Sequence, residues 1–191
     1  MIRYRIIDSA LLNDNLLAQT NLSTCGNKYA QLYVSDKGFV MIYPMNSQLE
    51  FNDTLHCFFK EIVVPISLEM DGHMSQINNK AKKFCHQVRT TLRILEAGTL
   101  WGNHAELYIG LFKEAVFRDL FMTNLPMVLW DYCMERRDQI HNTVPHPLFQ
   151  NLEMTPHEST FGEHVDISNM CNFGWYQWVY YRTSNSSPSA K

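Results

Sequence analysis

Three carboxylates and one lysine stand where their types and spacing could handle a phosphodiester. Asp71 directly follows the apolar run ISLEM and precedes Gly72, the position of a carboxylate at the end of a buried strand. Asp14 lies within ALLNDNLLA and Asp8 closes MIRYRIID, so either could end a first strand beside that of Asp71. Glu106 comes 35 positions after Asp71, inside a helical pattern. Lys113 is seven residues further on, two helical turns, which puts it on the same face as Glu106. Carboxylates gathered in one cleft repel and raise one another's pKa. A divalent cation removes that penalty, and hard carboxylate oxygens suit Mg²⁺ or Mn²⁺. Two such ions about 4 Å apart activate a water or a 3′-hydroxyl and steady the leaving oxygen. Read singly, each residue has a plainer role: Asp71 in a turn, Glu106 in a helix cap, Lys113 in solvent.

The elements that must position these residues follow from periodicity. In WGNHAELYIGLFKEAVFRDL, residues 101–120, the apolar positions Ala105, Ile109, Phe112 and Val116 form one helical stripe. Asn103 with Glu106 three residues later resembles a capping box and predicts the helix start there. Residues 28–35 and 39–43 are strand-like around Asp36-Lys37-Gly38 and predict a hairpin. A helix is expected over 47–62, with Leu49, Leu55, Phe58, Phe59 and Ile62 apolar and Pro65 as its stop. A short strand over 66–70 follows, then a polar amphipathic helix over 75–88 capped by Ser75, and a strand over 91–95. A turn at Gly98 leads into the stripe helix. Pro126 predicts the start of a further helix, with Trp130, Cys133 and Ile140 buried. The chain reads as irregular after Pro145, then as one or two aromatic strands over 173–181. A hairpin followed by alternating helices and strands predicts an α/β fold with a sheet of mixed direction.

Composition narrows the class. Of 191 residues, 46% are hydrophobic and 18% charged, enough for a real core. Apolar runs stay below the 18 or more residues of a membrane span, and the N-terminus has no signal-peptide layout, so an intracellular protein is expected. Five scattered cysteines (Cys25, Cys57, Cys85, Cys133, Cys171) without a CxxC pair predict free thiols. His141, His146, His157 and His164 lack ligand spacing and read as surface residues. The net charge of −3 argues against strong autonomous nucleic-acid binding, though not against an acidic nuclease-type site.

Beyond these patterns, the order YAQLYVSDKGFV, ISLEMDG, KFCHQVRTTLRILEAGTLW, HAELYIGLFKEAV, LWDYCMERRDQIHN and TPHESTFGEHVDISNMCNFGWYQWVYYR resembles the integrase core of copia-type retrotransposon polyproteins, from Tyr29 to Tyr181. The resemblance implies a ribonuclease-H-like mixed sheet flanked by helices over residues 1–144. It implies a short irregular or β extension over 145–182, and residues 183–191 read as a disordered tail. It also implies a triad that binds two Mg²⁺ or Mn²⁺ ions, DNA as the partner with a possible homo-oligomer and no membrane, and a nuclear location. By position the triad is Asp14, Asp71 and Glu106. Asp14 is preferred to Asp8 because the family has its first Asp shortly upstream of a Gly-Asn, here Gly26-Asn27. Lys113 matches a family lysine that touches DNA. The chain reads as a piece of such an element that starts near the first catalytic strand. The alternatives are a non-catalytic relic or co-opted nucleic-acid-binding or interaction module, and another enzyme of this fold such as a ribonuclease or resolvase.

Overall fold

The computed structural model describes residues 6–17, 22–62, 64–71, 79–95, 102–145, 154–168 and 170. The side chains of 6–10, 12–17, 71, 95 and 102–104 lie outside that description. Five strands make one sheet: β1 (Ile6–Leu17), β2 (Tyr29–Ser35), β3 (Val40–Met45), β4 (Val64–Asp71) and β5 (Thr91–Leu95). Their spatial order is β3-β2-β1-β4-β5. The first three pair antiparallel, while β4 runs parallel to β1, and β5 parallel to β4. The helices are α1 (Phe51–Glu61), α2 (Asn79–Gln87), α3 (Gly102–Thr123), α4 (Trp130–Thr143) and α5 (Pro156–Phe161). Among the described residues no helix is long and apolar enough to cross a membrane.

Strand alternation sorts the core into two layers. Ala30, Leu32 and Val34 join Val40 and Ile42 under Tyr108, Phe112, Val116 and Leu120 of α3 and Trp130 and Cys133 of α4. Tyr33, between them in sequence, goes to the other face with Leu11, Leu68 and Met70, beneath Phe51, Leu55 and Phe58 of α1. Tyr33 stacks on Phe58 at 4.8 Å between ring centroids. Its hydroxyl donates to Thr54 Oγ1 at 3.0 Å, since the Thr54 proton goes to the Phe51 carbonyl. A fully buried phenol needs such a partner. Burial pushes its pKa well above the usual tyrosine value.

The β2–β3 turn closes with Gly38 at φ +77, its N–H donating to the Ser35 carbonyl at 3.0 Å. Glycine takes this left-handed conformation without Cβ strain. The opposite edge of β3 is covered by α4. Asn142 Oδ1 accepts from Val40 N–H at 2.8 Å, and its amide donates to the Val40 carbonyl at 2.6 Å. Asp138 Oδ2 accepts from Ile42 N–H at 3.0 Å, and His141 Nε2 donates to the Gly38 carbonyl at 3.1 Å. Pro44, also on β3, has no N–H to leave open. An edge strand whose backbone groups are thus engaged cannot pair with a second chain.

Several expectations change. The polar trio Asn13-Asp14-Asn15 does not interrupt a strand: the two N-terminal candidates are one continuous β1, paired on both sides. The helix expected from residue 47 opens with a 3₁₀ turn, Gln48–Glu50, capped by the Ser47 side chain, and Leu49 in that turn is 85% exposed. Pro65 stops nothing, because the helix has already ended and Pro65 pairs within β4 opposite Ile7. Asn103 lies inside α3, which begins at Gly102, so it is not the cap. Ile140 is only half-buried. The stretch read as irregular contains α5, whose cap is a complete capping box between Thr155 and Glu158, with Pro156 in the first turn. The Ser75 cap, the Gly98 turn, the aromatic run 173–181 and the tail lie outside the described residues.

Candidate active site

β1 is the middle strand, and the position of Asp14 on it is fixed by both neighbours. Asp14 is the register partner of Leu32 on β2, and Leu32 belongs to the α3/α4 layer. On the other side Asn13 pairs with Met70, so the next residue on each strand is an aspartate, Asp14 on β1 and Asp71 on β4. Neighbouring strands run about 4.8 Å apart. Asp8 stands at the other end, between Ile7, opposite Pro65, and Ala10, opposite Ser67. The side chains of Asp8, Asp14 and Asp71 lie outside the described residues.

α3 packs against β1 and β2. Ala105, Tyr108, Ile109, Phe112, Val116 and Leu120 are its buried stripe. Glu106, next to Ala105 in the first turns, and Lys113 are both exposed. Two turns separate them, about 10 Å along the axis. Rotation of α3 is set by α4: Arg137 pairs with both carboxylate oxygens of Asp119, a two-point contact that fixes orientation as well as distance. Cys133 lies beside that pair, and burial pushes its thiol up to about 12, so it is inert as a nucleophile. The Glu106 carboxylate has no hydrogen-bond partner among the described residues.

Among the described residues no group of three His, Cys, Asp or Glu side chains is set to hold a metal. The candidate set includes Asp14 and Asp71, whose side chains lie outside the described residues. Its chemistry is all carboxylate oxygen, which fits a hard divalent cation and does not fit zinc or copper. Cys25, Cys57, Cys85 and Cys133 are free thiols.

Sequence reasoning missed the polar stripe of α4. Asp131, Asp138 and Asn142 are all buried. Asp131 Oδ2 accepts from the Asn27 side chain at 2.9 Å, tying the loop before β2 to the start of α4. Their spacing, together with Glu135, is helical. A polar stripe on a helix already apolar at Trp130, Cys133 and Met134 could have marked a second packed face.

No family model matches the sequence, and no curated protein matches it. Solved structures do resemble it. The HTLV-2 integrase catalytic core domain, solved with magnesium in a trimeric form, has a TM-score of 0.60 at 14% identity, covering 83% of this chain and 99% of that one. A chain of the simian T-cell lymphotropic virus intasome gives 0.64 at 12% identity, covering 87% of this chain and 60% of its own length. The BIV integrase catalytic core gives 0.60 at 10%, covering 80% and 93%. At these identities the likeness concerns fold. The chain has the ribonuclease-H-like α/β fold found in retroviral integrase catalytic cores.

Proposed function

We propose that this chain is an integrase catalytic domain of copia type that acts on DNA by metal-dependent phosphoryl transfer. Asp14, Asp71 and Glu106 would hold the metal, and Lys113 would meet a DNA phosphate. The observation that carries the reading is the register, which brings an aspartate next on both β1 and β4 after the Asn13–Met70 pair, on the strand against which α3 packs. When bound, Mg²⁺ or Mn²⁺ would supply a lowered water or hydroxyl pKa and charge neutralisation at the leaving oxygen. The chain's own contribution is positional. Two adjacent strands would bring two aspartates to one level, α3 would present the glutamate, and Lys113 would offer a cation two turns away to orient the strand. Homo-oligomers and a nuclear place of action accompany this reading.

Thermal unfolding with Mn²⁺ tests it. Metal at about ten times its Kd should stabilise the native protein by roughly 1.4 kcal/mol. That corresponds to a rise of about 3–6 °C in a domain of this size. Asp71→Asn should fold normally and lose the shift. An equal shift in both proteins would remove the shared-metal site and leave a non-catalytic DNA-binding or interaction module as the better reading. Strand transfer on element-end DNA, measured alongside, separates a working site from one that only retains its metal.

A further inference from the structure

The acidic balance of the chain hides a segregated basic face. Residues 79–95, which form α2 and β5, carry Lys80, Lys82, Lys83, Arg89 and Arg93 and none of the chain's 19 Asp and Glu. α2 packs by Ala81 and Cys85, which are buried, and this leaves Lys80, Lys82, Lys83 and His86 exposed. Between α2 and the outer edge of β5 runs an open groove of about 900 Å³. Lys82, His86 and Arg89 line one side, and Thr91, Leu92 and Ile94 the other. Glu69 on β4 is engaged by Arg93 at 3.4 Å.

A second observation singles out Arg89. It has φ +62, in the left-handed region, at the end of α2. The turn is a Schellman closure: Thr90 N–H donates to the Cys85 carbonyl at 2.9 Å and Arg89 N–H to the His86 carbonyl at 3.2 Å. Glycine is the residue that fits this position without strain. The chain instead places a guanidinium there, at the groove's lip, and carries the strain.

The geometry points to this groove as a binding site for the sugar–phosphate backbone of DNA, separate from the carboxylate site. The identification of the polyanion as DNA rests on the proposed function. Lys82, His86 and Arg89 step along one wall at about one helical turn each, so a strand lying in the groove meets cations in succession. A peptide added to the β5 edge is the less suitable occupant. β5 has only five residues and carries Arg93, and both features oppose strand addition. In the register Leu95 is the partner of Asp71, so a strand following β5 to its end arrives at the level of the candidate carboxylates.

The test is fluorescence anisotropy with a labelled 20-base-pair duplex in EDTA, titrated across salt concentrations. EDTA removes any contribution of a metal site. Wild type should bind with a steep salt dependence. Lys82→Ala/Arg89→Ala should weaken binding about tenfold at low salt and flatten the log–log slope by about 2, near 0.9 for each phosphate that is no longer neutralised. Arg89→Gly should weaken binding while raising the thermal midpoint by about 2–4 °C through relief of strain, a pairing of effects that a purely structural arginine would not give. Unchanged binding in the double variant would overturn the groove and leave the proposed chemistry standing. Weakened binding there, in a protein that shows no Mn²⁺ shift, would keep the groove and overturn the chemistry. Competition by polyglutamate as effective as that by unlabelled duplex would overturn DNA as the occupant.

Discussion

Asp138→Asn is expected to stabilise the protein near neutral and mildly alkaline pH by roughly 2–5 kcal/mol and to change it little near pH 4. The Asp138 carboxyl is buried between α4 and β3, with Oδ2 accepting the Ile42 N–H at 3.0 Å. Burial pushes its pKa up to about 8; the Ile42 hydrogen bond pulls it down, and the Glu135 charge pushes it up again. In the unfolded chain an aspartate titrates near 3.9. Between those two values the folded protein holds a proton that the unfolded chain releases. Its contribution to stability is therefore complete below about pH 4 and is lost as pH rises through the folded value, at about 1.4 kcal/mol per unit. Asparagine keeps an oxygen to accept from Ile42 and does not titrate. Urea unfolding across that range should give a falling curve for wild type and a flatter one for the variant. Parallel curves would mean that Asp138 is ionised in the fold and holds no such proton.

Asn142→Ala is expected to cost about 2–5 kcal/mol, the sum of leaving a donor and an acceptor of Val40 buried and unpaired. The side chain is 4% exposed, so water cannot replace it. The variant should therefore show a lower urea midpoint. Asn142→Asp, which keeps the acceptor for Val40 N–H but turns the donor into a charge facing the Val40 carbonyl, should be at least as damaging. A change of only a few tenths of a kcal/mol in Asn142→Ala would mean that the β3 edge is closed by packing alone.

Local pattern carried the elements whose burial is one-sided and unbroken. β5 has the bounds its β-rich run suggests, and the hairpin turns at Gly38 as its Asp-Lys-Gly signal implies. The buried face of α3 is the stripe that its apolar spacing marks. Pattern failed where tertiary pairing overrode it. Asn13-Asp14-Asn15 is polar, yet β1 is bonded to strands on both sides, and that pairing stabilises what propensity does not. Leu49 is apolar in a 3₁₀ turn that faces solvent, which periodicity cannot report. The short helix α5 was legible in principle, because Thr155-Pro156 with Glu158 is a start signal, but its six residues are too few to show a stripe. For the candidate site, residue type and order along the chain named Asp71, Glu106 and the pair Asp8 and Asp14. The level of each aspartate relative to Asp71 belongs to the pairing of β1 with β4, and no spacing within one strand encodes it. The same limit hid the basic groove: Lys82 and Leu92 are separate in sequence and line one groove only because α2 packs beside β5.

The α4 clasp on β3 has a consequence for synthesis on the ribosome. Val40 and the side chain that pairs with it are 102 residues apart in the chain. At translation rates of about 5–20 residues per second, roughly 5–20 s pass between their emergence. Throughout that interval the nascent hairpin presents the Val40 and Ile42 amides with no partner, and Pro44 is the guard already in place on the strand. The interval in which the protein is most exposed to self-association is thus set by elongation speed, and slower codons between positions 40 and 142 would lengthen it.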